Sequence, residues 1–233
     1  MTLEELPGLT GRSRKLKVVM AGGHPDDPET CAGGTAARYA DRGHEVVMLY
    51  LTKGEAGIKG KTPEETAAQR TGEVEKACAI LKCRSRFAGQ IDGKTELSPA
   101  RYREFRAILE DEQPDVVFTH WPLDRHRDHG TVSLLVRDAL AYGRKKFVLY
   151  YFAGYKTEQF PPSHYVNIAP AEARKREACF CHHWYRERVD LNLWEKMEML
   201  HRYRGFESGY PAAEAFIRHA MSRGDDGDLA LHG

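Results

Sequence analysis

The chain has 233 residues, of which 35 are Lys or Arg and 34 are Asp or Glu, so its formal net charge is +1. Hydrophobic residues make up 41% and charged residues 30%, as in an ordinary globular domain and unlike a disordered segment. The charge balance argues against a nucleic-acid-binding protein, and no apolar run approaches the ~20 residues of an integral membrane segment. The oligomeric state stays open, a homo-oligomer included.

Strand and helix patterns alternate through the first two-thirds of the chain. Short apolar runs predict buried strands at residues 16–21, 45–51, 86–91, 115–120 and 147–152. Helices are predicted between them at residues 29–42, 63–82, 99–112 and 131–142. Repeated β-α-β units imply an α/β fold with a Rossmann-like, mostly parallel sheet and helices on both faces.

The pattern changes after residue 155. There we predict a short strand at residues 165–168 and additional C-terminal helices at 170–184, 193–202 and 212–221. We interpret residues 1–221 as a single domain, followed by a Gly- and Asp-rich tail at 222–233 that we expect to be mobile. The N-terminal stretch lacks the apolar core of a secretory signal, and the five cysteines show no repeated spacing, which favours a cytoplasmic location.

The first polar cluster, Gly22-Gly23-His24-Pro25-Asp26-Asp27, follows the first predicted strand and opens the first helix. Ligands of open α/β sheets bind outside the carboxyl ends of the strands, so this cluster lies where chemistry is expected. His24 and Asp27 are close enough along the chain to bind one ion, and Asp26 between them must point elsewhere. A simpler interpretation is also physical, because Asp is a favoured N-cap and Pro suits the first helical turn.

The second polar cluster extends from His120 to His129 and follows another central predicted strand. Both clusters should therefore face the same crevice. His126 and His129 are three positions apart, and either Asp124 or Asp128 could orient a metal-bound histidine, because such rings usually donate their second N–H to a carboxylate. The alternative is a solvated polar loop that Asp128 caps. We assign no chemical role to His120.

Together the two clusters predict a catalytic metal site. Three ligands of the His/Asp/His type leave coordination positions open for water, which is typical of catalytic zinc, and Fe²⁺ would suit the same ligands. Zinc lowers the pKa of bound water to about 7, and the reaction then needs a base for the water and a cation near the developing oxyanion. Asp26 and His126 are the candidates for these two roles.

These residues resemble the PIG-L/LmbE-like zinc-dependent deacetylases. His24-Pro25-Asp26-Asp27 is similar to the family's A/G-H-P-D-D motif, and His126-Arg127-Asp128-His129 to its H-x-D-H motif. Shorter similarities follow in the expected order: residues 52–57 to its T-x-G-E-x-G loop, Arg70 and Glu73 to its R-x-x-E helix, and Lys175, Ala178 and His182 to its K-x-x-A-x-x-x-H pattern.

The resemblance implies a role for each matching residue. His24, Asp27 and His129 would bind zinc, Asp26 would be the general base, and His126 would stabilise the oxyanion and protonate the leaving amine. Arg70 would contact hydroxyl groups of the sugar, with a cation on the helix surface as the alternative. Four further residues would contact substrate or orient the site, with a purely structural role as the alternative for each: Asp92, Asp128, Glu55 and His182.

One departure from the family pattern bears on the substrate. Many members have H-x-S-Q where this chain has His182-His183-Trp184-Tyr185, so the Ser-Gln pair is absent. The resemblance implies a metal-dependent N-deacetylase acting on an N-acetylglucosamine-type sugar or sugar conjugate. Two alternatives stay open from the residues: an amidase for a non-sugar N-acyl substrate, and a non-catalytic metal- or ligand-binding protein on the same fold.

Overall fold

The structure is a computed structural model that describes residues 6–9, 14–154 and 157–220. The tail predicted at residues 222–233 lies outside these residues. Seven strands are present in the described parts: β1 Lys17–Gly22, β2 Glu45–Tyr50, β3 Arg84–Phe87, β4 Val116–His120, β5 Val148–Phe152, β6 His164–Asn167 and β7 Ala213–Arg218. The helices are α1 Asp27–Asp41, α2 Pro63–Leu81, α3 Pro99–Glu112, α4 Arg127–Tyr142, α5 Glu172–Cys179, α6 His183–Glu187 and α7 Leu193–Ser208.

The strands form one sheet in the order β3-β2-β1-β4-β5-β7-β6. The first five strands along the chain are parallel, and β7 is antiparallel to both β5 and β6. The chain moves outward from β1 to β2 and β3, then returns to place β4 on the other side of β1. This reversal opens a crevice at the carboxyl ends of β1 and β4, where α/β proteins bind ligands.

Alternation along the strands divides the core into two apolar layers. In β1, Val18 and Met20 pack into the layer under α1 and α2, whereas Val19 and Ala21 pack into the layer under α3 and α4. Helices therefore cover both faces of a mostly parallel sheet, and the predicted fold class is confirmed. No helix within the described ranges is long and apolar enough to cross a membrane.

Local sequence signals explain where the helices begin. Thr62 caps α2 by accepting a hydrogen bond from the Glu65 N–H, while the Glu65 carboxylate accepts one from the Thr62 N–H. Ser98 caps α3 by accepting from the Arg101 N–H. Both helices place Pro in the first turn, where its missing N–H costs no hydrogen bond.

The predicted helix at residues 212–221 is wrong, because Ala213–Arg218 forms strand β7. Pairing with β5 and β6 decides its conformation, and such long-range contacts override local helix propensity. Glu214 is buried and accepts hydrogen bonds from Lys175 and from the N–H groups of Gly34 and Thr35. A carboxylate at a buried strand position hides the apolar alternation that would have predicted a strand.

The single helix predicted at residues 170–184 is also wrong, because the segment is interrupted. A 3₁₀ turn at Ala169–Ala171 precedes α5, and α6 begins only at His183. His182 lies between α5 and α6 with extended backbone, and its buried ring lies 3.1 Å from the Glu29 carboxylate. This tertiary contact favours the break that local propensity does not indicate.

Candidate metal-dependent active site

The two polar clusters meet at the crevice between β1 and β4, as predicted. They line a cleft of about 460 Å³ that has the size of a small-molecule site. Seven of the ten predicted site residues line it: His24, Asp26, Asp27, Arg70, Asp92, His126 and His129. Gly23 lets the two loops approach, because a Cβ atom there would lie 3.1 Å from the His129 ring.

One carboxylate oxygen, Oδ2 of Asp27, is the meeting point of the cluster. It lies 3.1 Å from Nδ1 of His24, 3.3 Å from Nε2 of His129 and 3.4 Å from Nε2 of His120. Burial opposes ionisation, but His129 and His120 hold the pKa of Asp27 well below its usual range. Asp27 is therefore an anion toward which ring nitrogens converge.

A second carboxylate lies behind each of the two predicted histidine ligands. The far nitrogen of His24, Nε2, lies 3.1 Å from both Asp128 Oδ2 and Asp92 Oδ1. The far nitrogen of His129, Nδ1, lies 3.2 Å from Asp124 Oδ1. Burial lowers the pKa of both rings, but these carboxylates and Asp27 outweigh it, raising the pKa of His129 to about 9 and that of His24 well above its usual value.

Among the described residues, three groups of side chains have ligand atoms within 4.8 Å of one another: His24–His126–His129, Asp27–His120–His129 and His24–Asp92–Asp128. The region can therefore hold a small divalent cation, and the predicted set of His24, Asp27 and His129 stays a prediction. Bonds of 2.0–2.1 Å in a tetrahedron separate neighbouring ligand atoms by about 3.3 Å, close to the two distances that join Asp27 to His24 and His129. A carboxylate behind a ligating ring is the usual arrangement around metal-bound histidine, because it fixes the ring and increases its basicity. The histidine protons that balance Asp27 could be exchanged for one metal ion.

Asp26 lines the same cleft as Asp27, and its carboxylate contacts Arg70. Its backbone φ is +97°, a left-handed conformation that is strained for a residue with a side chain. Burial raises the pKa of the Asp26 carboxyl to about 6, although the Arg70 charge opposes this rise. A pKa near neutrality suits a group that must accept and then release a proton.

Arg70 holds this strained turn. Its Nη2 donates to Asp26 Oδ1 at 2.9 Å and to the carbonyl oxygen of Pro25, and its Nη1 donates to the carbonyl oxygen of Gly54 at 3.4 Å. Gly54 has a φ of +68°, and a side chain there or at Gly57 would overlap the guanidinium. The predicted contact of Arg70 with sugar hydroxyls stays a prediction, and its positioning of Asp26 is an additional finding.

His126 and His120 flank the predicted ligands. His126 precedes α4, and its ring centroid lies 4.7 Å from that of His24 and 4.6 Å from that of His129. His120 ends β4 and stacks on His129 with 3.8 Å between centroids. Burial, together with the nearby His129 charge, lowers the pKa of His120 to about 4, and its Nε2 accepts from the Gly23 N–H. Sequence reasoning missed this contact, and only its strand-end position could have indicated it.

The remaining predicted residues lie behind the cleft and connect its loops. Asp128 Oδ2 accepts from the Gly93 N–H, and Glu55 Oε2 accepts from the Asp92 N–H. Asp92 in turn accepts from the Ala56 N–H, which fastens the residue 52–57 loop to His24. His182 is fully buried against Glu29 and does not line the cleft.

Comparison with known proteins shows the family to which this chain belongs. The family model described as PIG-L: GlcNAc-PI de-N-acetylase matches residues 19–140. The chain is 30% identical over 173 residues to a probable N-acetyl-alpha-D-glucosaminyl L-malate deacetylase 2 of Bacillus anthracis, covering 68% of this chain and 76% of the relative. This chain belongs to the PIG-L family.

One further relative and one solved structure are also similar to this chain. A 1D-myo-inositol 2-acetamido-2-deoxy-alpha-D-glucopyranoside deacetylase of Saccharopolyspora erythraea is 34% identical over 85 residues, which cover 32% of this chain and 28% of the relative. The match spans little more than a quarter of that relative. A crystal structure of a conserved Thermus thermophilus protein superposes with a TM-score of 0.76 at 28% identity, covering 90% of this chain and 97% of the other.

The PIG-L match includes both polar clusters but ends before the C-terminal elements. The cleft continues there, because Trp184, Tyr185, Leu191 and Leu193 also line it. The region that departs from H-x-S-Q is therefore a wall of the candidate site.

Proposed function

We propose that this protein is a metal-dependent hydrolase that removes the acetyl group from an N-acetylated amino sugar or its conjugate. The observation that carries this proposal is the convergence of His24 and His129 on one oxygen of Asp27, with Asp26 in the same cleft. Family membership supports amide hydrolysis, and the names of the malate and inositol relatives support an N-acetylglucosamine-type substrate.

His24, Asp27 and His129 would hold the ion, since His24 Nδ1 and His129 Nε2 both lie within 3.3 Å of Asp27 Oδ2. When bound, Zn²⁺ or Fe²⁺ supplies Lewis-acid chemistry that polarises a carbonyl and makes water acidic near neutral pH. Asp128 would hold the His24 ring through its far nitrogen, and Asp124 lies 3.2 Å from the far nitrogen of His129.

The proton transfers belong to residues of this chain. Asp26 accepts a proton from the attacking water as the new C–O bond forms at the acetyl carbon. His126 stabilises the negative charge that develops on the carbonyl oxygen and donates a proton to the amide nitrogen. The C–N bond then breaks, and acetate and a free amino sugar leave. Arg70 keeps the Asp26 carboxylate in place during these steps.

An acetate-release assay tests this function. The protein is supplied with Zn²⁺ and incubated with N-acetylglucosamine, its glycosides and N-acetyl amino acids, and acetate and free amine are both quantified. We expect the two products in equal amounts from the sugars and their loss after chelation. Release only from N-acetyl amino acids would indicate a non-sugar amidase instead. Absence of acetate together with tight binding of a sugar would indicate a binding protein.

A further inference from the structure

The outer wall of the cleft is apolar and comes from the segment that joins α5 to α7. Trp184 and Tyr185 belong to α6, while Leu191 and Leu193 flank Asn192. Asn192 adopts a φ of +47°, and this left-handed corner turns the chain between the 3₁₀ turn at Val189–Leu191 and α7.

The wall is anchored to the rest of the fold. Tyr185 is buried, and its hydroxyl lies 2.7 Å from the Thr30 hydroxyl on α1. Behind it, Tyr185 packs with Cys179 and Trp194 in a separate apolar cluster to which Leu193 is attached. The polar end of Tyr185 is therefore occupied within the protein, and its ring contributes apolar surface.

The charged side chains of this segment pair with other protein groups and do not line the cleft. Arg186 binds the Glu73 carboxylate at 3.0 Å, and Arg188 binds Asp190 at 3.0 Å. Arg188 also lies over the Trp184 ring, with 5.3 Å between its Cζ and the ring centroid. The segment that lacks Ser-Gln therefore presents carbon surface to the cleft.

The cleft also offers little to an anionic substituent. Among its described lining residues, Arg70 is the one Lys or Arg, and its guanidinium already binds Asp26 and two backbone carbonyl groups. Asp26, Asp27 and Asp92 add negative charge to the same cleft. The histidines and the predicted metal site lie at the strand ends, so a carboxylate or phosphate held at the wall would meet carbon surface and no cationic side chain among its described residues.

We propose that this cleft accepts amino sugars whose anomeric substituent is an aromatic ring, seated against Trp184, Leu191 and Leu193. The inference rests on the proposed function, and it adds the class of group attached to the sugar. The polar residues at the strand ends take the acetamido sugar, and the wall removes the attached ring from water. Trp184 supplies an aromatic ring to the cleft lining, and aromatic pairs gain more than their buried area alone provides.

Calorimetric titration of the zinc-loaded protein carrying Asp26→Asn, in which we expect turnover to be strongly slowed, tests this subsite. The probes are phenyl, methyl and carboxymethyl 2-acetamido-2-deoxyglucopyranosides, in both anomeric forms. We expect the phenyl glycoside to bind at least tenfold more tightly than the methyl glycoside, about 1.4 kcal/mol, and the carboxymethyl glycoside no more tightly than the methyl. Equal affinities, or a preference for the carboxymethyl glycoside, would overturn the inference.

Variants of the wall connect that preference to its residues. In the same background, Trp184→Ala should reduce the phenyl-to-methyl ratio to about one or two, and Trp184→Leu, which keeps apolar bulk, should leave an intermediate ratio. Phe206→Ala is the matched control, since Phe206 is an exposed aromatic residue of α7 that does not line the cleft. An unchanged ratio in both Trp184 variants would overturn the inference, as would a Phe206→Ala loss equal to theirs.

Turnover separates this inference from the proposed function. Acetate release from the methyl glycoside without a phenyl preference would contradict the aromatic subsite alone. A Trp184-dependent phenyl preference without acetate release from any glycoside would support the subsite and contradict the deacetylase.

Discussion

The guanidinium of Arg70 and the carboxylate of Asp26 form a buried ion pair, with 2.9 Å between Nη2 and Oδ1. The same guanidinium binds the carbonyl oxygen of Pro25, the residue before Asp26. Arg70 thus holds both the backbone and the side chain of a strained turn whose φ is +97°. The pair determines where the candidate base lies relative to Asp27.

Arg70→Lys should therefore reduce kcat by about 10- to 100-fold while KM changes little, because an ammonium cannot reproduce the two-pronged contact. Steady-state kinetics with N-acetylglucosamine glycosides measures the two parameters separately. The sugar contact predicted from the sequence implies the opposite pattern, in which KM increases and kcat is retained. An increased KM with an unchanged kcat would show that Arg70 does not position Asp26.

The residue 52–57 loop provides an independent test of Arg70. Gly54→Ala should also lower kcat by at least about tenfold, because the added methyl group would overlap the guanidinium. Gly60→Ala is the matched control: Gly60 has a similarly positive φ of +86°, but a Cβ atom there meets nothing within 4 Å. Both variants place a side chain at a positive φ, so equal loss of activity in the two would contradict a specific effect on Arg70.

Asp26→Asn should reduce kcat by about 10²- to 10⁴-fold, the usual contribution of a general base, because an amide does not accept the water proton. Metal content should stay at one equivalent per chain, since the predicted ligands are untouched. Acetate release and elemental analysis of the same preparation measure both. Turnover at the wild-type rate would remove Asp26 as the base, and loss of metal would make it a ligand.

Local patterns predicted the parallel strands and the two polar clusters, because each feature is encoded within a few neighbouring residues. They did not predict β7, which depends on pairing with β5 and β6 and whose buried Glu214 interrupts the apolar alternation. They also did not indicate that His120 approaches Asp27. That contact requires the register of β4 beside β1, which brings together residues more than ninety positions apart.

His120 is an alternative to His129 as a metal ligand beside Asp27, and metal analysis of single variants can distinguish the two. His129→Ala should lower zinc occupancy severely, because it removes a ring nitrogen 3.3 Å from Asp27 Oδ2. His120→Gln should retain about one equivalent, since the lone pair on the His120 Nε2 is already occupied by the Gly23 N–H. A glutamine oxygen can accept that bond as well. If His120→Gln loses the metal and His129→Ala retains it, His120 is the ligand and His129 is not.

The buried His201, which is far from the predicted ligands in sequence, should make the free energy of unfolding depend on pH. Its buried Nε2 accepts from Lys175 Nζ at 2.8 Å, and Lys175 also donates to Glu214 at 2.7 Å. Burial and the Lys175 charge lower the pKa of His201 to about 2. Glu172 lies 3.5 Å from Nδ1 but binds Arg202 more closely, at 2.9 Å, so it does little to restore the proton.

The direction of this pH dependence follows from the protonation state of His201 in the folded and in the unfolded chain. Above pH ~6.5 His201 is neutral in the folded and the unfolded chain, and it contributes no pH dependence. Below that pH the unfolded chain binds a proton that the folded chain excludes, so folding loses up to about 1.4 kcal/mol per pH unit. His201→Gln keeps an acceptor for Lys175 and removes the titration. Urea unfolding at pH 7, 6 and 5 should show the wild type losing about 2 kcal/mol more than His201→Gln by pH 5. Parallel losses in the two proteins would show that His201 takes up its proton in the folded state.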